Sequence, residues 1–187
     1  MINPDTYFNQ LATALQTVDS QILALATSCL EETYRRDGTL FVAGNGQSAS
    51  TADAFALDMV KQTAGDRDVR RLRAISLSSS ISAITAWAND VGYEAVFVKQ
   101  LEVLFRPGDV FVTVSASGNS PNVVKASEWV LDHGGKVVAL TGFNGGKLRD
   151  LATACVHVDV ADYGHAETAH IAIMHYWVDY FKEIVAS

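Results

Sequence analysis

Five short apolar strands alternating with helices predict an α/β fold for this 187-residue chain: a three-layer α-β-α sandwich around a mainly five-stranded parallel sheet. Three observations carry that expectation. Runs such as Val110–Val114 (VFVTV) and Lys136–Thr141 (KVVALT) are continuously apolar and rich in β-branched residues, which suits strands buried on both faces. Each run leads into a helical pattern instead of a second strand at hairpin distance. Two of the runs end in loops of small and hydroxyl residues, as strands of an open sheet do where a ligand lies beyond their carboxyl ends.

In chain order, an apolar stripe (Phe8, Leu11, Ala12, Leu15) predicts a helix over residues 5–16. A second helix over residues 19–36 carries Ile22, Leu25, Ala26, Cys29 and Leu30 and ends at Asp37-Gly38. These two helices precede any strand, so residues 1–36 are expected as a helical pair without a strand to cover, free to pack on another subunit. The first strand spans residues 39–43 and runs into Gly44-Asn45-Gly46-Gln47-Ser48. A helix over residues 48–62 follows, with Ala52, Phe55, Ala56 and Met59 on one face. Arg67, Arg70, Arg71 and Arg73 form a basic cluster before the strand at residues 72–77, read as a solvated loop over a ligand-facing one. Ser78-Ser79-Ser80 caps a helix over residues 81–87, which breaks at Asn89-Asp90-Val91-Gly92, and a further helix runs over residues 93–104.

Gly108–Ala126 (GDVFVTVSASGNSPNVVKA) is the stretch around which the rest is organised. Strand 110–114 ends in Ser115-Ala116-Ser117-Gly118-Asn119-Ser120, and Ser120 and Pro121 suit the N-cap and first position of the next helix. Hydroxyls beside the unpaired N–H groups and positive dipole end of a helix make an anion site, and a phosphate monoester is the anion expected there. The Gly44–Ser48 loop is a second element of the same kind. It lacks the lysine of a P-loop and the GxGxxG spacing of dinucleotide sites. The chain then continues with a helix to residue 132, strand 136–141, the loop 142–146, a short helix 147–151, strand 155–160 and a final helix 167–185.

Composition narrows the function. Apolar content of 49% and charged content of 19% belong to one ordinary globular domain spanning residues 1–187. A net charge of −7 argues against nucleic acid as the main partner. Cys29 and Cys155 lie inside apolar patterns, as buried thiols of a reducing compartment do. MINPDTYFNQ is no signal peptide, and no apolar run reaches the ~18 residues a membrane span needs. A cytoplasmic protein without membrane partners is expected.

With GNGQS at Gly44–Ser48, ND at Asn89-Asp90, SASGNSPNVVKA at Ser115–Ala126 and LTGFNGG at Leu140–Gly146, the chain resembles sugar isomerase (SIS) domains. Among these it is most similar to the phosphoheptose isomerases, which interconvert sedoheptulose 7-phosphate and D-glycero-D-manno-heptose 7-phosphate in heptose and lipopolysaccharide biosynthesis. The resemblance implies a flavodoxin-like sheet, a homotetramer with sites at subunit contacts, and in many members a zinc ion. It implies that Asn45, Gly46, Gln47 and Ser48 line one side of the substrate, with Gln47 where glycine is usual. Asn89 and Asp90 fall on a substrate-binding pair. Ser115, Ala116, Ser117 and Ser120 fall on the phosphate loop, with Ala116 in place of a threonine.

Aldose–ketose isomerisation moves a proton between adjacent carbons, so it needs a base at carbon and an acid or base at oxygen. The family's glutamate and histidine for these tasks correspond to Asp58 and His175. Aspartate is shorter by one C–C bond, about 1.5 Å, and a misplacement of ~1 Å can cost ~100-fold. The family's zinc ligands correspond to Ala54, Asp58, Glu167 and His175, so one imidazole is missing. Two carboxylates, a histidine and water remain a conceivable set for zinc or another divalent ion, provided Glu167 sits before the regular helix begins. Glu167 with His170, at i,i+3, is a local alternative. The histidines at 165, 170 and 175 step by five around the helix. Two readings follow: a phosphoheptose-type isomerase, and a non-catalytic sugar-phosphate-binding or regulatory protein similar to the family's replication-initiation regulator, which lacks the catalytic pair.

Overall fold

The computed structural model describes residues 2–186. Its five strands are β1 (Thr39–Gly44), β2 (Arg73–Ser76), β3 (Val110–Val114), β4 (Lys136–Thr141) and β5 (Ala154–His157). All pairings are parallel, in the order β2-β1-β3-β4-β5. Side chains alternate across the sheet. Leu40, Val42, Val110, Val112, Val114, Val138 and Leu140 enter one core, and Phe41, Ala43, Phe111, Val137 and Ala139 enter the other. The expected three layers are therefore present.

The helices are α1 (Pro4–Gln16), α2 (Ser20–Arg35), α3 (Gln47–Lys61), α4 (Ile81–Asp90), α5 (Val98–Leu104), α6 (Pro121–Asp132), α7 (Leu148–Leu151) and α8 (Tyr163–Ala186). Val98, Leu101, Val123, Val130 and Leu148 place α5, α6 and α7 on the Phe41–Phe111 face. The opposite face is covered by α2, α3 and α8, through Cys29, Leu30, Phe55, Met59, Ile173 and Trp177. Trp177 is fully buried and donates its indole N–H to Thr27 Oγ1 at 3.0 Å, tying α8 to α2.

Several expectations need correction. The leading helices are not both free of the sheet: α2 lies on it, and α1, with Ala14 as its buried residue, packs on α8. The reason is topological. The crossovers after β2, β3 and β4 run over the other face, so α3 alone covers one end of this face and leaves the rest for α2 and α8. The helix after β2 continues through Asn89 to Asp90, and residues 93–104 form a 3-10 turn (Tyr93–Ala95) and then α5, not one helix. The last helix begins at Tyr163, four residues before the expected start, because Asp162 caps it by accepting the His165 N–H at 2.9 Å. The arginine cluster serves local structure. Arg67 and Arg71 donate to carbonyls at the end of α3, Arg73 pairs with Asp37 at 2.7 Å, and Arg70 stacks over Tyr34 at 4.1 Å. Both cysteines are free thiols. Among the described residues, no helix is long and apolar enough to cross a membrane.

His170 on α8 is fully buried, and neither ring nitrogen has a hydrogen-bond partner. Its pKa is lowered to about 4, chiefly by burial, with the Thr141 backbone opposing and nearby His157 adding to the drop. The native protein thus keeps His170 neutral between about pH 6.5 and 4, where the unfolded chain takes up a proton. Stability should therefore fall as pH drops through that window, by up to about 3 kcal/mol from this residue. Chemical denaturation at pH 7 and pH 4.5 should show a smaller acid loss in His170→Leu than in the parent protein.

Candidate functional site at the strand-order reversal

The order of strands reverses between β1 and β3, and the loops leaving these two strands go to helices on opposite faces of the sheet. The crevice between them is where open parallel sheets hold ligands. Asn45, Ser48, Ser115, Ala116, Ser117, Ser120, Tyr163 and Glu167 line a cavity of about 170 Å³ there. The two small-residue loops therefore meet. Ser48 stands in the first turn of α3, whose N-cap Gly46 has φ +55°, a left-handed conformation that glycine adopts without strain.

The second loop is anchored from below. Gly142 N–H donates to Ala116 O at 2.8 Å and Leu148 N–H to Gly118 O at 3.1 Å. Gly118 has φ +65°, and a Cβ there would lie 1.8 Å from the Gly145 carbonyl oxygen, so only glycine allows the loops to pass this closely. Ser120 occupies the N-cap position of α6, yet its hydroxyl makes no cap bond. The expected N-cap position is therefore borne out without the side-chain bond, and Ser120 lines the cavity. The lining residues include no lysine or arginine. The groups there that suit an anion are hydroxyls and two helix N-termini.

A second cavity, of about 280 Å³, lies between α3 and α8. Gln47, Thr51, Ala54 and Asp58 from α3 face Ile171, Met174, His175 and Val178 from α8. Asp58 and His175 thus share one groove. Asp58 Oδ1 accepts from Gln62 Nε2 at 2.5 Å, within the same helix. His175 is exposed.

Other expected residues stand apart. Asn89 and Asp90 are exposed at the end of α4, joined by a 2.8 Å bond from Asn89 Nδ2 to Asp90 Oδ1, and line neither cavity. The metal set does not assemble within the chain. Glu167 lies in the regular part of α8, so the eight residues to His175 separate them by about 12 Å along the axis. Glu167 faces the cradle while Asp58 and His175 face the groove, and Ala54 offers no donor. The local alternative fails as well, since His170 is sealed in the core. Among the described residues, no three His, Cys, Asp or Glu side chains are grouped to hold a metal ion. The residues of this chain do not fit zinc, and no chemical step is assigned to it.

Sequence reasoning missed Tyr163, which lines the cradle, and Asn122, which is 1% exposed and hydrogen-bonded to Asn45 in both directions at 2.8 and 2.9 Å. A polar residue directly after Ser120-Pro121 was the available signal for Asn122.

Comparison with known proteins places these features in context. A family model described as "SIS domain" matches residues 6–142. The phosphoheptose isomerase of Chlorobaculum parvum is 36% identical over 182 residues, covering 96% of this chain and 86% of the relative. That of Helicobacter pylori (strain P12) is 40% identical over 159 residues, covering 85% and 82%. The solved phosphoheptose isomerase from Neisseria gonorrhoeae superposes with a TM-score of 0.87 at 30% identity, and that from Francisella tularensis with 0.89 at 26%, each over 96% of both chains.

Glu167 sets the sign of the cradle's charge. Burial raises its pKa, and an anion bound beside it would meet its carboxylate. Glu167→Gln, which removes the charge at constant shape, should tighten binding of inorganic phosphate several-fold at pH 7 by calorimetry. The gain should shrink as pH falls and the parent carboxyl protonates.

Proposed function

The chain belongs to the SIS domain family, and from that membership we propose that it is a phosphosugar isomerase converting sedoheptulose 7-phosphate to D-glycero-D-manno-heptose 7-phosphate. The convergence of the Gly44–Ser48 and Ser115–Ser120 loops on one cavity is the observation that carries this reading. The phosphate rests in the cradle on Ser115, Ser117 and Ser120, and the sugar chain extends along α3 into the groove. Gln47 lines the groove and its neighbour Ser48 lines the cradle.

Length supports a long substrate. Asp58 lies ten residues beyond Ser48, about 15 Å along the helix axis, and helix side chains lean back toward the N-terminus. Six C–C bonds of an extended heptose span at most about 9 Å, and the phosphate ester adds to that reach. A six-carbon or five-carbon phosphate held in the same cradle falls further short of Asp58.

The chemistry assigned to the groove is enediol proton transfer. Asp58 removes the proton from the carbon beside the carbonyl and returns it to the neighbouring carbon. His175 moves the proton between the two oxygens. Glu167, with its raised pKa, accepts or donates a hydrogen bond to the sugar nearest the cradle. Aspartate in place of a longer carboxylate makes the base the weak point of the arrangement. Two observations favour the second reading, a sugar-phosphate-binding protein without turnover: Asp58 is already hydrogen-bonded to Gln62, and Ala54 leaves the groove without a second imidazole.

Incubating the protein with sedoheptulose 7-phosphate and following the aldose by chromatography decides between them. Turnover that drops at least ~100-fold in Asp58→Asn and in His175→Ala supports the isomerase. Asp58→Glu, which restores the missing bond length, should raise kcat with little change in KM. Tight binding without turnover in every heptose and hexose phosphate tried supports the second reading.

A further inference from the structure

Asn45 is held by a set of hydrogen bonds whose polarity follows from one backbone N–H. Because α6 opens at Pro121, the N–H of Val123 belongs to the first turn and has no carbonyl partner inside the helix. It donates instead to Asn122 Oδ1 at 2.9 Å. A backbone N–H can only donate, so the atom it meets is oxygen, and the Asn122 amide has a single orientation. Asn122 Nδ2 then faces Asn45 and donates to Asn45 Oδ1 at 2.8 Å. In return Asn45 Nδ2 donates to Asn122 Oδ1 at 2.9 Å. The Tyr93 hydroxyl, arriving from the 3-10 turn, donates to the same Asn45 Oδ1 at 2.9 Å.

These bonds use both lone pairs of Asn45 Oδ1 and one of the two protons on Nδ2. What Asn45 retains for the cradle it lines is one N–H. We infer that Asn122 and Tyr93 are positioning residues that make Asn45 a donor only, so that its remaining N–H addresses an acceptor oxygen of the ligand and the residue cannot receive a hydroxyl proton. This inference rests on the sugar-phosphate reading for the identity of the ligand, and on the hydrogen-bond network alone for the polarity. Phosphoryl and carbonyl oxygens meet the requirement. A sugar hydroxyl meets it only through its lone pairs, leaving its proton for another partner such as Glu167.

The pair also crosses the crevice. Asn45 belongs to the loop after β1 and Asn122 to the start of α6, so the same bonds that orient the amide hold the two walls together. Tyr93 is exposed, with 54% of its surface accessible, and its hydroxyl is the part of the network that can be removed without disturbing the core.

A double-mutant cycle tests the assignment. Asn122→Asp keeps the acceptor for Val123 N–H and for Asn45 Nδ2 but loses the donor to Asn45 Oδ1; Tyr93→Phe removes the other donor. Each should weaken sedoheptulose 7-phosphate binding by about five- to tenfold in calorimetry. In an Asn45→Ala background Tyr93→Phe should alter affinity by less than about twofold and Asn122→Asp should keep only the loss due to its added negative charge, because residues that act through Asn45 have nothing left to position. Effects that persist undiminished in that background overturn the inference.

The second arm needs no sugar. In the ligand-free protein the Asn45 side-chain amide signals, identified in 1H–15N spectra by their loss in Asn45→Ala, should shift in both Tyr93→Phe and Asn122→Asp. On titration with inorganic phosphate, one of the two protons should move and the other stay. Amide signals unmoved by both substitutions overturn the network as described. Absence of sedoheptulose 7-phosphate binding in the parent protein, with the amide shifts as expected, overturns the functional reading and not the positioning.

Discussion

The reversal of strand order between β1 and β3 is the constraint from which the rest of this structure follows. Each strand of a parallel sheet must send its chain over one face or the other. Where two neighbouring strands send theirs to opposite faces, the outgoing loops part and leave a crevice. Here that crevice receives the starts of α3 and α6, so the positive ends of two helix dipoles meet at one small space. On the reading proposed above, this is how an acidic protein without a lysine or arginine at the crevice would hold an anion. The sheet supplies the position and the helices supply the field.

A crevice opened by topology has to be kept at a useful width, and three local devices do so. The Asn45–Asn122 amide pair spans it. Gly118 lets the loop after β3 lie directly against the loop after β4. Ser78, from the loop after β2, donates to Gly44 O at 3.0 Å and accepts from Gly44 N–H at 3.2 Å, bracing the start of the first loop. Each bond contributes only about 1 kcal/mol net, but a buried amide left without its partner costs about 1–3 kcal/mol. These contacts therefore act more by excluding other arrangements than by adding stability.

Along α3 the chemistry divides. The first turn belongs to the cradle, and the later turns, facing α8, belong to a groove with an apolar floor and two ionisable groups. The same two helices also carry the core contacts of Phe55 with Trp177, 5.8 Å between ring centroids, so the groove is built on packed elements and not on mobile loops. His170 shows the cost of that rigidity, a histidine sealed between the sheet and α8 with no partner for its nitrogens. The apolar surround that fixes α8 is also what makes acid destabilising.

What the sequence alone determined is local. Unbroken β-branched runs cannot tolerate water on either face, so they foretold strands inside a three-layer fold. Glycines, serines and a proline at strand ends marked the two loops because those residues alone combine tight turns, helix starts and close approach of a ligand. The convergence of the loops could be anticipated only as a property of open sheets. The bonds of Asn122 and Tyr93 to Asn45 join residues 77 and 48 positions apart, and no local pattern encodes them. The tertiary structure alone decided that α2 covers the sheet, since this depends on which face the other crossovers leave bare. It also decided that Glu167 and His175 serve different cavities. An N-cap at Asp162 starts α8 one turn earlier than hydrophobic periodicity suggests, and on a helix a shift of the start fixes how far apart two side chains must stand.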